Sequence, residues 1–380
     1  MAKIKQNIII LMILSSFGVN AQQLILGSER IDNLIQHISE KNIAIIGNQT
    51  SMIKNTHLVD TLISLKQSIK IVFSPEHGFR GIEDAGTHIN NEYDKKTGIP
   101  IISLYGGNKK PSNNQLKNID IIIFDIQDVG ARFYTYISTL HYVMEAAGEN
   151  NIPLIILDRP NPNGHYIDGP ILEKKYQSFV GMHAIPIVHG MTIGEYAKMI
   201  IGEKWIEKPC ELTIIKMINY NRQKIYNLPI KPSPNLPNKR AINLYPSLCL
   251  FEGTTVSIGR GTNFPFQHYG APFLKSDYSF TPKSGPGSKY PKHENKICYG
   301  SNLKYQKNIL NSINLEWLIN CYNKCPNKEQ FFTSFFDKLA GTDKLRIQIS
   351  SGKSSEQIIK TWNKGLNNFN NIRRKYLLYN

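Results

Sequence analysis

Short apolar runs alternate with helical patterns along the first half of the chain. The runs predict strands at 42–46, 69–73, 99–104, 119–124, 152–157 and 212–217. Apolar residues at the 3.6-residue spacing predict helices at 28–40, 58–65 and 136–149. Runs without polar alternation are typical of strands that are buried on both faces of a parallel sheet. The pattern therefore predicts an α/β domain.

Three of these strands end in charged residues. The clusters are Glu76, His77 and Arg80 after residue 73, Asp125, Asp128 and Arg132 after residue 124, and Asp158 and Arg159 after residue 157. Because the carboxyl ends of parallel strands lie along one edge, we expect a single composite site there. The alternative for the first cluster is a polar turn whose charges meet solvent. The dinucleotide-binding variant is excluded because no G-x-G-x-x-G opens a helix after a strand.

The second half of the chain has different patterns. Five prolines between residues 227 and 246 predict an irregular connection, and we place a domain boundary there, giving domains at 22–244 and 245–380. Further expectations are a helix begun by a Thr192–Glu195 capping box, a flexible insertion at 276–296, a helix from residue 314, a strand at 345–349 and a long amphipathic helix at 354–376.

The N-terminus has the features of a signal peptide. Lys3 and Lys5 precede an apolar segment at 8–14, and Val19-Asn20-Ala21 supplies small residues for cleavage. The apolar segment is too short to span a bilayer. We expect residues 1–21 to be removed and the chain to be exported, to the periplasm or out of the cell.

The net charge indicates the kind of binding partner, and the cysteine count indicates the state of the thiols. The formal net charge of +16 favours an anionic partner such as a cell-wall polymer, although basic residues are spread along the chain without a concentrated run. No zinc-finger or RNA-module signature is present, which argues against nucleic acid. The five cysteines are an odd number, and buried free thiols are the expected state for most of them. We expect neither a metal nor a cofactor.

Common hydrolase motifs are missing from the sequence. There is no G-x-S-x-G nucleophile elbow and no H-E-x-x-H, and Gly352-Lys353-Ser354 lacks the earlier glycine of a phosphate-binding loop. Carboxylates without a dedicated metal cluster indicate acid–base chemistry on a neutral bond. A metal-dependent phosphoryl or acyl hydrolase that uses Asp125 and Asp128 is the alternative.

Several motifs together resemble the exo-β-N-acetylmuramidase family, across almost the whole chain after residue 21. They are Asn48-Gln49-Thr50-Ser51, Ser74-Pro75-Glu76-His77-Gly78-Phe79-Arg80-Gly81, Asp128-Val129-Gly130-x-Arg132, Tyr134-Thr135-Tyr136, Asp158-Arg159-Pro160-Asn161-Pro162, Phe179-Val180-Gly181, His189-Gly190-Met191-Thr192 and Glu252-Gly253-Thr254. The resemblance implies a Rossmann-like N-terminal domain with a mostly parallel sheet and a smaller C-terminal domain, which we expect to be α+β. It also implies a cleft between them and release of N-acetylmuramic acid from the non-reducing end of peptidoglycan fragments.

The charged clusters suit this reaction. Glycoside cleavage needs one carboxyl to protonate the leaving oxygen and a second group to attack carbon or activate water. We predict Glu76 as the general acid, because desolvation would keep a carboxyl in that loop protonated near neutral pH. Asp125 or Asp128 is the candidate for the second role, with Glu83 and Asp84 behind them. His77 either orients the acid or simply packs.

The sugar's lactyl carboxylate calls for a cation. Arg80, Arg132, Arg159 and Arg260 are the candidates, because a guanidinium binds a carboxylate with two parallel hydrogen bonds. Asn161, Asn235 and His189 are candidate donors to hydroxyl and acetamido groups, and Tyr134, Tyr136 and Phe266 are candidate aromatic walls. Turn stabilisation and core packing explain these residues equally well. A non-catalytic exported protein that captures muropeptides is the remaining alternative.

Overall fold

A computed structural model of the chain describes residues 23–76, 78–80, 92–224 and 226–379. The predicted signal peptide, His77, Glu83 and Asp84 lie outside these ranges. Among the described residues, no helix is both long and apolar enough to cross a membrane.

The N-terminal part is built on a seven-stranded sheet with the order β5-β6-β4-β1-β7-β8-β9. The strands are β1 (Asn42–Gly47), β4 (Ser68–Ser74), β5 (Glu92–Tyr93), β6 (Pro100–Ser103), β7 (Ile121–Asp125), β8 (Leu154–Leu157) and β9 (Leu212–Ile215), with β2 (Met52–Ile53) and β3 (Thr56–His57) forming a separate hairpin. Every pair in the large sheet is parallel except β5 with β6. The predicted mostly parallel α/β fold is confirmed.

Helices cover both faces of this sheet. They are α1 (Ile31–Ile38), α2 (Leu58–Ser64), α3 (Tyr136–Asn150) and α4 (Ile193–Gly202). Ile43 and Ile45 of β1 pack with residues of α1 and α2, whereas Ala44 and Ile46 pack on the other face with residues of α3 and α4. Alternate residues of a strand point to opposite faces, so a strand covered on both sides is apolar throughout.

The C-terminal part combines helices with a small antiparallel sheet. Its elements are α5 (Lys239–Leu248), β10 (His268–Ala271), β11 (Tyr278–Phe280), β12 (Cys298–Asn302), α6 (Glu316–Lys324), α7 (Phe336–Ala340), α8 (Lys344–Ser350), α9 (Ser355–Lys360) and α10 (Asn363–Arg373). The small sheet has the order β10-β12-β11. The cluster on the α3 face of the large sheet continues into this part through Leu250, Phe336 and Trp362, so the two parts share one apolar core.

Several predicted elements are wrong in this second half. Residues 345–349 form part of helix α8, not a strand, because Leu345 and Ile349 are buried four residues apart on one helical face. The predicted single helix at 354–376 is divided into α9, α10 and a terminal 3₁₀ turn, although the Ser354–Gln357 capping box is present. The insertion at 276–296 contains β11, and the proline-rich connection ends in α5, within which the predicted boundary at residue 244 falls.

All five cysteines are buried free thiols, as expected for most of them. The residues that the structure describes contain no group of three or more His, Cys, Asp or Glu side chains that could hold a metal ion.

Candidate active site

Glu76 and Tyr105 are brought together by the register of two neighbouring strands. In the parallel pair β4–β6, Ser74 lies beside Ser103, and the backbone N–H of Leu104 donates to the Ser74 carbonyl over 2.8 Å. Glu76 and Tyr105 each lie two residues beyond the end of their strand. The Tyr105 hydroxyl donates a hydrogen bond to the Glu76 carboxylate. Burial, the charge of Glu76 and this bond together raise the pKa of Tyr105.

Both side chains line a cavity of about 250 Å³ that lies between the N-terminal and C-terminal parts. Residues from the sheet edge, from the segment 233–236 and from the C-terminal part contribute to its wall. Among the described lining residues, Glu76 and Glu252 are the carboxylates and Arg260 is the cation. The cavity therefore has the charged groups that acid–base chemistry on an anionic sugar requires.

Aromatic rings form much of the remaining wall. Tyr134 and Tyr136 meet edge to face with centroids 4.8 Å apart, and Tyr245 meets Phe266 in the same way at 4.9 Å. The hydroxyls of Tyr134 and Tyr136 donate to the Pro232 carbonyl over 2.9 Å and 3.3 Å. These bonds fix the segment that carries the lining residues 233–236, and the rings offer flat apolar surface to a sugar face.

Glu252 and Arg260 form an ion pair in the wall of this cavity. Arg260 Nε lies 2.5 Å from Glu252 Oε1 and Nη2 lies 3.2 Å from Oε2, so the pairing uses the side edge of the guanidinium. The guanidinium carbon lies 5.1 Å from the centre of the Phe266 ring. Burial lowers the pKa of Arg260, but the Glu252 carboxylate outweighs it and holds that pKa above its ordinary value.

The local sequence explains how Arg260 reaches this position. Glu252 lies in a 3₁₀ turn, Cys249–Gly253, directly after α5. Arg260 lies between Gly259 and Gly261, whose φ angles of 79° and 76° belong to the left-handed region that favours glycine. A Cβ atom at position 259 would lie 2.1 Å from the His268 ring, so only glycine fits there.

Asn235, a candidate donor to the substrate, also lines the cavity. Its side-chain Nδ2 donates to the Gly287 carbonyl over 2.7 Å. The amide nitrogen therefore ties the 285–288 turn to the cavity wall. The predicted site residues that the structure describes in the cavity wall are Glu76, Tyr134, Tyr136, Asn235, Arg260 and Phe266.

Asp125 and Arg159, both predicted site residues, pair with each other away from this cavity. Arg159 Nε and Nη2 donate to the two Asp125 carboxylate oxygens over 2.6 Å and 2.9 Å. Asp125 is fully buried, and Arg159 is 5% exposed. Arg159 also donates to the Ser28 hydroxyl and the Met52 carbonyl. The pair joins three loops at the sheet edge, which is a structural arrangement, and it leaves neither group facing the Glu76 cavity.

Asp128 and His189 form a second buried contact outside the cavity wall. Asp128 Oδ2 accepts from the Gly130 N–H over 2.6 Å and lies 3.7 Å from His189 Nε2. His189 Nδ1 accepts from the Met191 N–H over 3.2 Å. Both side chains therefore hold turns after β7 and before α4 in place.

Arg132 is fully buried, contrary to its predicted contact with substrate. Its Nη1 donates to the carbonyls of Pro170 and Ile185, and its Nη2 to those of Leu339 and Ala340, over 2.7–3.0 Å. Burial lowers its pKa to about 9. The two bonds from Nη2 join the N-terminal part to α7, and all four bonds hold the guanidinium away from the cavity.

Arg80 and Asn161 are likewise engaged elsewhere. Arg80 Nη2 lies 3.1 Å from Asp60 Oδ1 and 2.7 Å from Asp94 Oδ2, so two carboxylates hold its guanidinium. Asn161 donates to the Met191 carbonyl and accepts from the Asn163 N–H, the pattern of a turn-stabilising side chain. Glu252 was missed as a candidate, and its only signal in the sequence is the Glu252-Gly253-Thr254 motif.

Comparisons with known proteins agree along most of the chain. The family model described as "Exo-beta-N-acetylmuramidase NamZ, N-terminal" matches residues 43–240, and its C-terminal counterpart matches residues 243–379. The peptidoglycan beta-N-acetylmuramidase NamZ of Bacillus subtilis (strain 168) is 42% identical, with 88% of this chain and 87% of that protein covered.

Two crystal structures of DUF1343 family proteins from Bacteroides fragilis NCTC 9343 have the same fold. One is 48% identical with a TM-score of 0.87, and the other is 29% identical with a TM-score of 0.80. Each match covers 94% of this chain and 99% of the other.

Proposed function

Because the chain belongs to the exo-beta-N-acetylmuramidase NamZ family, we propose that it releases N-acetylmuramic acid from the non-reducing end of peptidoglycan fragments. It is an exo-acting glycoside hydrolase of peptidoglycan, as the similarity to the Bacillus enzyme supports. The predicted enzyme class is confirmed. The similarity favours a glycoside hydrolase over the two alternatives, a non-catalytic binding protein and a phosphoryl or acyl hydrolase.

The observation that carries the catalytic proposal is Glu76 in the cavity, oriented by Tyr105. A general acid must be fixed within reach of the leaving oxygen. The hydrogen bond from Tyr105 restricts the rotation of the Glu76 carboxyl, and the strand register fixes both residues. In the proposed reaction Glu76 donates its proton to the glycosidic oxygen as the bond from that oxygen to the anomeric carbon breaks.

Arg260 is the proposed partner of the lactyl carboxylate. It is the cation among the described residues of the cavity wall, and two of its nitrogens already bind a carboxylate. Its third nitrogen, Nη1, is the one that a substrate carboxylate would meet. N-acetylglucosamine lacks the lactyl group, so this contact would favour N-acetylmuramic acid.

Export is the proposed route to the substrate. The features of residues 1–21 support it, since a basic start, an apolar segment and small residues precede the described chain. Peptidoglycan lies outside the cytoplasmic membrane, so a periplasmic or secreted enzyme would meet its fragments directly.

The test is turnover of a disaccharide in which N-acetylmuramic acid is β-linked to N-acetylglucosamine. We expect the wild type to release both sugars and Glu76→Gln to lose about 10²- to 10⁴-fold in kcat, the usual contribution of a general acid. The matched control is Glu149→Gln, which replaces a carboxylate on α3 whose side chain is 44% exposed. The assignment would fail if Glu76→Gln kept a rate close to that of the control. Binding without release by the wild type would contradict the activity itself.

A further inference from the structure

We propose that Glu252 is the second catalytic carboxylate of this cavity, oriented by Arg260, an inference that rests on the proposed function. Glycoside cleavage requires a group that acts at the anomeric carbon while the acid acts at the leaving oxygen. Glu252 and Glu76 are the two carboxylates among the described residues of the cavity wall. Asp125 and Asp128, the candidates from the sequence, are outside that wall and bind Arg159 and the Gly130 N–H.

The two carboxylates come from different parts of the chain. Glu76 follows β4 of the N-terminal sheet, whereas Glu252 follows α5 at the start of the C-terminal part. Because the cavity lies between these parts, a sugar inside it would meet one carboxylate from each. An arrangement of this kind lets one group work on the leaving oxygen while the other works on the ring carbon.

The pairing with Arg260 fixes the orientation of Glu252. Both of its oxygens accept from Arg260, and the side chains are 24% and 29% exposed, so the pair is partly shielded from solvent and open to the cavity. The stacking of the guanidinium on Phe266 holds Arg260 in turn. A carboxylate whose two oxygens both accept hydrogen bonds needs little reorganisation when charge develops near it.

The proposed step breaks the glycosidic bond and forms a new bond at the anomeric carbon. The electron pair of the glycosidic bond goes to the leaving oxygen, which takes the proton of Glu76. Glu252 acts at the anomeric carbon in one of two ways. In the first it bonds to that carbon, and water then breaks this bond while the Glu76 carboxylate takes a proton from the water, which releases the sugar and restores the acid. In the second it takes a proton from the water that attacks the carbon. In the second case the product sugar carries the water's hydroxyl and Glu252 carries its proton.

Arg260 then connects recognition with catalysis. Its Nε and Nη2 orient Glu252, and its Nη1 is the proposed contact of the lactyl group. A sugar with the lactyl group would therefore be placed relative to Glu252 by the same guanidinium. This gives a physical reason for selection of N-acetylmuramic acid in the catalytic step as well as in binding.

The test uses Glu252→Ala with a chromogenic aryl N-acetylmuraminide. Its good leaving group needs little help from the general acid, so the rate depends mainly on the second carboxylate. We expect kcat to fall by about 10²- to 10⁴-fold. Sodium azide should then restore turnover by about ten-fold or more, because the small anion fits the vacated space and attacks the anomeric carbon. The product of the rescued reaction should be the muramyl azide, which mass spectrometry detects.

The matched control is Asp337→Asn. Asp337 is paired side-on with Arg346 in the same way, with Nη2 2.8 Å from Oδ2, but it lies outside the cavity. We expect it to keep wild-type turnover and to show no response to azide. Glu252→Gln, which preserves shape, is the second variant, and it should bind free N-acetylmuramic acid while losing turnover.

Two results would overturn the role. One is a Glu252→Ala or Glu252→Gln rate close to that of Asp337→Asn. The other is a large loss that azide leaves unchanged and that is accompanied by loss of N-acetylmuramic acid binding, which is the behaviour of a residue that only supports Arg260. An inactive wild type would instead contradict the proposed function, so the two failures are distinguishable.

Discussion

At the scale of single residues, the partners of each arginine decide what it can bind. Arg80 binds two carboxylates and Arg159 binds one, and both arginines lie outside the cavity wall. Arg132 is held by four carbonyls. Arg260 alone among these four arginines is in the cavity wall. The four share one side-chain chemistry, so only their surroundings separate a substrate contact from a structural bond.

Arg260→Lys should weaken binding of free N-acetylmuramic acid by about ten-fold or more, because one ammonium cannot bind Glu252 and also place a donor where Arg260 Nη1 lies, and a charged hydrogen bond contributes about 1.5–3 kcal/mol. Binding of N-acetylglucosamine, which has no carboxylate, should change much less. Titration calorimetry with both sugars measures the difference. Arg346→Lys is the matched control outside the cavity. Equal losses for the two sugars would show that Arg260 does not contact the lactyl group.

Asp94→Asn should remove part of the acid sensitivity of folding. The hydrogen bond from Arg80 outweighs burial and lowers the pKa of Asp94 to about 2. A carboxyl whose pKa is lower in the folded state stabilises the fold above its unfolded pKa, about 3.9, and loses this contribution as the pH falls towards 2. Because the Arg80 side chain is 28% exposed and its charge is partly screened by solvent, we expect Asp94 to add about 1 kcal/mol to the free energy of unfolding at neutral pH.

The measurement is the melting temperature of wild type and Asp94→Asn between pH 7 and pH 2. The gap between them should be constant down to about pH 4 and should close below it. Asp32→Asn, an exposed carboxylate in the first turn of α1, is the control and should follow the wild type throughout. A gap that stays constant down to pH 2 would contradict the assignment.

At the scale of secondary structure, the active site depends on the register of β4 and β6. Ser74 and Ser103 lie side by side, so the residues two positions further on, Glu76 and Tyr105, leave the sheet together. A shift of one residue between parallel strands would turn one side chain to the opposite face. The apolar contacts of both sheet faces therefore hold the acid and its hydrogen-bond donor in position.

Tyr105→Phe should move the pH–rate profile while leaving the fold unchanged. A hydrogen bond donated to a carboxylate favours its charged form, so its loss favours the protonated acid that catalysis requires. The alkaline limb of kcat/KM should move to higher pH by up to about one unit, with a modest loss in rate from poorer orientation. Tyr93→Phe, 72% exposed, is the control. An unchanged profile would mean that Tyr105 only packs.

The elements differ in how well the sequence predicts them. Strands such as β7 are found because burial on both faces makes them apolar throughout, and Glu76 is found because it follows such a strand. The pattern at 345–349 predicts a strand where helix α8 lies, because five residues are too few to separate the two-residue period of a strand from the 3.6-residue period of a helix. Glu252 has no strand before it, and its position depends on how the C-terminal part packs on the sheet, which local patterns do not contain.

The same limit explains the misplaced site residues. Asp125 ends β7 and Asp128 follows it, at the predicted edge of the sheet, but both side chains are bound by other protein groups there. Sequence patterns predict which edge a residue reaches. They do not predict which side chain it contacts there. The partner of Asp125 is Arg159, which follows the next strand in the sheet, and the neighbour of Asp128 is His189, which lies in a distant loop.

At the scale of the whole molecule, the end of the chain returns to the N-terminal sheet. The backbone N–H of Leu378 donates to Glu195, and Arg222 donates to the Tyr379 carbonyl. The Tyr379 hydroxyl donates to Asp158 Oδ2 over 2.7 Å and accepts from the Met217 N–H over 3.0 Å. With the bonds from Arg132 to α7, these contacts hold the two parts around the cavity together.

Tyr379→Phe should therefore destabilise the whole enzyme without touching the cavity. Burial and then the neighbouring Asp158 raise the pKa of Tyr379, so its hydroxyl remains a donor at all moderate pH values. Removing it leaves a fully buried carboxylate with one donor fewer, which costs about 1–3 kcal/mol. In a protein of this size we expect the melting temperature to fall by about 2–6 °C.

Tyr305→Phe is the matched control, because the Tyr305 ring is 80% exposed. Calorimetry should give a lower melting temperature for Tyr379→Phe alone, and kcat and KM at a temperature well below both transitions should equal those of wild type. A melting temperature equal to that of the control would contradict a stabilising role for the chain end. A change in KM at low temperature would indicate that the terminal contacts also set the spacing of the two parts across the cavity.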